Sequence, residues 1–200
     1  EMLARATRRL AFDEFFTLQL AVLSRRRDWQ KEPGNAIARG QEVAEAFAKT
    51  LPFKLTSAQR RVIDQILADM ARPTPMSRLL QGEVGSGKTV VATTAAVVAA
   101  TNGFQSVIMA PTEILAEQHF RTIAALLGAE PTEFADEGTV EGQPIPDAPS
   151  LEGRGIKVGL LTGGTRRKQK EALYQQMAEG AIDIAVGTHA LLEEGVRFRR

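Results

Sequence analysis

The residues Gly82-Glu83-Val84-Gly85-Ser86-Gly87-Lys88-Thr89 hold the most specific chemistry in this sequence. They follow the pattern Gly-x-x-x-x-Gly-Lys-Thr, the spacing of a phosphate-binding loop. Glycines let a short backbone arch curl so that its N–H groups converge on phosphate oxygens. Lys88 supplies a positive charge for the β- and γ-phosphates, and the Thr89 hydroxyl is a ligand for Mg²⁺. A helix opening at about Lys88 sets its positive dipole end beneath the same phosphates. The ligand implied is ATP with Mg²⁺.

Such a loop needs a strand before it and a helix after it. Met76-Ser77-Arg78-Leu79-Leu80-Gln81, a partly apolar run after the turn Pro73-Thr74-Pro75, is the predicted strand. Val90 to Ala100 is apolar and alanine-rich and stops at Asn102-Gly103, as a helix would. Both flanks favour a phosphate loop over a glycine-rich turn without a ligand.

The elements that must hold this loop follow from periodicity. Residues 1–30 read as a helix, with Leu3, Leu10, Phe15, Leu18 and Val22 at helical spacing. Its arginines gather near both ends; packing on a neighbouring domain, with those arginines in solvent, is favoured over DNA contact. Pro33-Gly34-Asn35 breaks the chain, and 41–50 form a short helix. Thr56 caps a helix from about Ser57 to Ala71. Ser106-Val107-Ile108-Met109-Ala110 is a buried strand, and Thr112 caps a helix to about Leu127 with Glu113 in its first turn. Val158-Gly159-Leu160-Leu161 is a strand, Thr165 to about Ala178 a basic helix, and Ile182-Asp183-Ile184-Ala185-Val186 a strand. The domain division is 1–50 as a helical extension and 51–200 as the main domain.

Strand and helix in alternation imply an α/β fold with a parallel sheet and right-handed crossovers. Ligands collect outside the carboxyl ends of such strands. The phosphate loop, Pro111-Thr112, Thr162-Gly163-Gly164 and Gly187-Thr188-His189 should line that edge. Any one of the last three alone could be an ordinary turn. Together with the phosphate loop they suggest ATP on one part of the edge and a nucleic-acid backbone along the rest.

Composition adds bounds. The chain has 200 residues, a net charge of +1 and no cysteine, which excludes disulfides and Cys-based zinc sites. It shows no membrane-span pattern and no signal-peptide pattern, which fits a cytoplasmic protein. The small net charge conceals an asymmetry. Residues 129–155 carry seven acids and one base, whereas 157–200 carry eight bases and five acids. A nucleic-acid partner therefore stays compatible with the total. The 129–155 stretch also holds four prolines and four glycines, and is expected to be a mobile acidic insertion and not a core element.

Four stretches together resemble the first motor domain of superfamily 2 helicases, and within them the RecG family of branch-migrating DNA helicases. They are Leu51-Pro52-Phe53-Lys54-Leu55-Thr56-Ser57-Ala58-Gln59, the phosphate loop, Ala110-Pro111-Thr112-Glu113-Ile114-Leu115-Ala116-Glu117-Gln118-His119, and Val186-Gly187-Thr188-His189-Ala190-Leu191. Arg8 to Phe16 is similar to the helix that links the DNA-wedge domain to the motor in that family. The resemblance implies a P-loop NTPase (RecA-like) sheet flanked by helices, and an ATP-dependent motor acting on replication forks and Holliday junctions. It also implies roles. Gln59, with Thr56, would read adenine. Gly82, Glu83, Val84, Gly85, Ser86, Gly87, Lys88 and Thr89 would hold the triphosphate, with Lys88 the catalytic cation and Thr89 on Mg²⁺. Pro111, Thr112 and Thr188 would grip one DNA strand by its phosphates, with Gly163 and Gly164 as a further contact. Transcription-repair coupling translocases have a closely similar motor and are the near alternative. A stand-alone nucleotide-binding module is the distant one. Leu161-Thr162-Gly163-Gly164-Thr165 is superficially like a transporter signature, but the strand after it ends without an acid.

Phosphoryl-transfer ATPases of this type also need an acidic pair at a strand end, to hold Mg²⁺ and orient the attacking water. Asp136-Glu137, Glu193-Glu194 and Asp13-Glu14 all stand in the wrong context. The resemblance puts the acidic motif shortly beyond Arg200, so these residues read as part of a longer motor with an incomplete sheet. The 200-residue chain alone is expected to hydrolyse ATP barely at all; steady-state turnover at helicase-like rates would contradict this.

Overall fold

The computed structural model describes residues 2–29, 31–129, 138–145 and 153–199. In chain order the elements are α1 (Met2–Trp29), α2 (Gly40–Thr50), α3 (Ser57–Met70), α4 (Lys88–Thr101), β1 (Ser106–Met109), α5 (Glu113–Leu126), β2 (Thr139–Pro144), β3 (Gly155–Leu161), α6 (Arg167–Glu179) and β4 (Ile184–Gly187), followed by a 3₁₀ turn at His189–Leu192. The strands form one sheet in the order β1-β4-β3-β2. β4 lies parallel to both β1 and β3, with Ile108 and Leu160 each opposite Val186. The α/β class and the mainly parallel sheet expected from the sequence are therefore observed.

Burial explains the layering. β4 is buried at every position and β3 at most, as parallel strands covered on both faces must be. One face packs under α2, α3, α4 and α5, where Phe47, Val97, Val98, Ile123, Ile156, Val158 and Ile184 meet. The other face packs under α6, through Leu161, Leu173, Met177, Ile182 and Leu191. α4 touches α2, α3, α5 and β1. Its buried Thr93 and Thr94 donate their hydroxyls to the carbonyls of Thr89 and Val90 at 2.8 Å each, so they leave no unpaired group in the core.

Three details differ from the sequence reading. First, residues 129–155 contain β2, which pairs antiparallel with β3 and makes the sheet mixed. Val140 and Ile145 enter the core at 2% and 7% exposure. The glycines there serve close approach. A Cβ on Gly142 would lie 2.7 Å from Leu127 Cβ, and one on Gly155 only 1.6 Å from the Gly142 carbonyl oxygen. The rest of the stretch expected to be a mobile insertion, 130–137 and 146–152, lies outside the described residues.

Second, Met76–Gln81 belongs to no strand; a strand exists only with a paired neighbour, and the described sheet offers it none. Arg78 instead anchors the segment to α3, through Nε to Asp69 at 3.0 Å and Nη1 to Gln65 at 3.2 Å. The Arg78 guanidinium holds the Asp69 carboxyl below the usual range.

Third, α1 buries no residue at all. Phe15 and Leu18 are 72% and 62% exposed, and Phe12 stacks on Phe16 with centroids 5.8 Å apart. Among the described residues no helix is long and apolar enough to cross a membrane.

This layering predicts two contrasting substitutions. Ile123→Ala, in the core at 0% exposure, should destabilise the fold by about 2–5 kcal/mol. Leu18→Ala on α1 should change stability by less than about 0.5 kcal/mol. Denaturant unfolding of both variants measures the contrast.

Candidate nucleotide site and nucleic-acid interface

The phosphate loop arches from Gly82 into α4. Gly85 and Gly87 both take the left-handed conformation, at φ 82° and 79°, which glycine adopts without strain. Lys88 spans the arch from inside: its Nζ donates to the carbonyl oxygens of Gly82 at 2.9 Å and Glu83 at 2.7 Å. Ser86 N–H donates to the Glu83 carbonyl at 3.2 Å and closes the turn. A Cβ at Gly82 would stand 2.7 Å from Ser86 Oγ, so a side chain there would displace the Ser86 hydroxyl. Thr89 sits half-buried in the first turn of α4. A cation held inside a glycine arch at a helix N-terminus fits a triphosphate.

Gln59 is joined to this loop across 27 positions of sequence, its Nε2 donating to the Ser86 carbonyl at 3.0 Å. The same side chain completes a capping box on α3. Gln59 Oε1 accepts from Thr56 N–H at 2.8 Å, and Thr56 Oγ1 accepts from Gln59 N–H at 3.2 Å. One amide therefore fixes the start of α3 and touches the loop. It leaves one donor and one acceptor site for a base. Gly87 is the point of contact: a Cβ there would lie 2.3 Å from Gln59 Nε2.

The other three loops meet one another at the carboxyl ends of β1, β3 and β4. Ala110 N–H donates to the Gly187 carbonyl at 2.8 Å, and Thr188 N–H to the Leu161 carbonyl at 3.2 Å. Thr112 caps α5, its hydroxyl accepting from Leu115 N–H at 3.3 Å. Thr165 Oγ1 accepts from Thr162 N–H at 2.9 Å and tightens the glycine turn. The remaining link is Glu113, whose Oε1 accepts from Gly164 N–H at 2.9 Å. The structure thus brings Pro111, Thr112, Gly163, Gly164 and Thr188 into one connected group.

Behind Thr188, Glu193 accepts from Lys170 at 2.6 Å and from Tyr174 OH at 3.1 Å, tying the segment after the 3₁₀ turn to α6. The Lys170 ammonium holds the Glu193 carboxyl below its ordinary range, and that carboxylate raises Lys170 in return. On the opposite edge of the sheet, buried Asp183 makes a bidentate pair with Arg154 at 2.6 and 2.9 Å and accepts from Lys157 N–H. It is occupied structurally and lies far from a strand's carboxyl end.

With this geometry established, comparison with known proteins decides the family. The DEAD/DEAH box helicase family model matches residues 56–199, from the Thr56 cap to the end of the described chain. The chain belongs to the DEAD/DEAH box helicase family.

Family members use ATP, the ligand expected of the loop. A RecG ATP-dependent DNA helicase from Synechocystis is 40% identical over 201 residues, covering 100% of this chain and 21% of that protein. The RecG of Thermotoga maritima is 42% identical over 197 residues, covering 98% of this chain and 22% of that protein. A solved structure of RecG bound to a three-way DNA junction matches with a TM-score of 0.77 at 40% identity, over 99% of this chain and 24% of that one. The resemblance to RecG is thereby borne out. The chain spans between a fifth and a quarter of the length of these relatives, 21% and 24% at the two ends.

Two features of this helicase domain escaped the sequence reading. Glu113 was legible as a favourable first-turn charge within one of the helicase-like stretches, but its contact with Gly164 was not, because that partner lies 51 positions away. Glu193 was read only as half of a failed acidic pair, and its role with Lys170 and Tyr174 depends on how α6 packs.

The Gln59 contact yields a test. Gly87→Ala places a side chain at positive φ, costing about 1–3 kcal/mol, and drives its Cβ into Gln59. The variant should lose nucleotide binding measured by calorimetry and unfold at lower denaturant; native-like binding would show that Gln59 is free to withdraw.

Proposed function

We propose that this chain is the ATP-binding part of the first motor domain of an ATP-dependent DNA helicase that remodels branched DNA, such as replication forks and Holliday junctions, in repair and recombination. The observation that carries the reading is Lys88 held within the glycine arch while Gln59 docks on the same loop. The similarity to RecG, whose relative is seen on a three-way junction, supports branched DNA as the substrate of the whole protein. A cytoplasmic location belongs to the same reading.

Each residue has a definite task in it. Lys88 moves from the Gly82 and Glu83 carbonyls to the β- and γ-phosphates, which offer a stronger, charged acceptor. The Thr89 hydroxyl holds Mg²⁺, which supplies charge neutralisation on the phosphates when bound. Gln59 turns its remaining donor and acceptor to the adenine edge. Because the same amide touches Ser86, base recognition and loop position are coupled. Pro111, Thr112, Gly163, Gly164 and Thr188 hold the DNA backbone. Contacts of that kind carry little sequence information and weaken as salt rises.

Calorimetric ATP binding, with and without Mg²⁺, should be strong for the native chain and lost in Lys88→Ala. Single-stranded DNA binding should weaken steeply between low and physiological salt. ATP affinity unchanged in Lys88→Ala would remove the loop from the site.

A further inference from the structure

We propose that Glu113 is a positioning residue for DNA: its carboxylate sets the spacing between the amino end of α5 and the Gly163-Gly164 turn, and with it the register in which those two loops take phosphates. The proposal rests on the reading of these loops as a grip on the DNA backbone.

The argument comes from strand order. β1 and β3 are not neighbours; β4 lies between them. The loops after β1 and β4 are tied by main chain, Ala110 N–H to Gly187, and the loops after β4 and β3 by main chain, Thr188 N–H to Leu161. The loops after β1 and β3 are two strand spacings apart, about 9–10 Å. No main-chain hydrogen bond reaches that far, so a side chain has to close the gap. Glu113, the first residue of α5, does so through Gly164 N–H at 2.9 Å.

The glycine pair fits this task. A Cβ at Gly163 would stand 3.0 Å from Glu113 Oε1, and one at Gly164 3.3 Å from Oε2. Both carboxylate oxygens therefore lie against bare backbone, and a side chain at Gly163 would press on them. Thr165 fixes the same turn from the other side. The latch also sits beside the Thr112 cap, so the end of α5 and the turn move together.

Charge separates this role from a simple electrostatic one. A carboxylate on a phosphate-binding face repels the ligand, so its value there lies in geometry. Glutamine has the same length and keeps an acceptor oxygen but lacks the charge. Aspartate keeps the charge and is one methylene too short. Alanine has neither acceptor nor reach.

The test compares the native chain with Glu113→Gln, Glu113→Asp and Glu113→Ala. The probe is a fluorescently labelled oligothymidine strand, followed by anisotropy across a salt series. Amide hydrogen exchange at Gly164 and thermal unfolding are read on the same samples. The latch predicts that Glu113→Ala and Glu113→Asp weaken binding roughly three- to tenfold, the worth of one net hydrogen bond. It predicts that Glu113→Gln binds as tightly as the native chain or more so, and that unfolding temperature falls by no more than about 2–4 °C in any variant, the size expected for losing one first-turn charge or one hydrogen bond. Gly164 should be protected in the native chain and Glu113→Gln, and exposed in Glu113→Ala. Glu113→Ala binding as tightly as the native chain, or more tightly, overturns the proposal and makes the carboxylate a mere occupant of the phosphate position. A native chain that shows no salt-dependent DNA binding overturns the DNA reading itself, and this role with it.

Discussion

A helix that is apolar on nearly every side has to be surrounded, and α4 is that helix. Val90, Val91, Val97, Val98 and the alanines between them leave no wide polar face to offer solvent. The fold therefore wraps it with α2 and α3 on one flank, α5 on another and the sheet beneath. Its small side chains allow neighbouring helices to approach closely. The consequence is functional. The phosphate loop runs directly into the first turn of α4, so a helix packed on several sides holds the base of the most specific binding loop. The helix dipole can act on a phosphate only if the helix end is fixed.

The loop itself is positioned by groups remote in sequence. Gln59 reaches it from the start of α3, and Lys88 braces it from within. Glycine serves three different purposes in this chain. At Gly85 and Gly87 it permits left-handed backbone. At Gly87 it also makes room for an amide. At Gly142 and Gly155 it allows strands and helix to touch. Only the first purpose is visible in a motif. The others depend on what happens to pass nearby.

That distinction explains the segment 129–155. Its prolines, glycines and acids have the composition of a solvated insertion, and composition was the only guide available to a linear reading. A single buried valine, Val140, is too little to register as a strand by periodicity. Thr139–Pro144 becomes one because β3 presents an edge to pair with, and because Leu127 offers an apolar surface that only glycine can meet at close range; Ile145 enters the core just past its end. α1 shows the reverse case. Its apolar stripe is plain in sequence, yet no residue of the helix is buried among the described residues.

The sequence by itself determined much of this protein. The phosphate loop, the helix after it, the caps at Thr56 and Thr112, the strands read at 106–110 and 158–161 and the helicase resemblance are all local signals. Each arises from spacing or from hydrogen bonds within a few residues, and the linear order preserves those. Tertiary structure decided what lies next to what. It placed β4 between β1 and β3 and left Met76–Gln81 without a strand partner. It brought Gln59 to Ser86, Glu113 to Gly164, and Glu193 to Lys170 and Tyr174. Those contacts cross tens of residues, and their energies exist only after the sheet has chosen its order. No spacing rule along the chain encodes them.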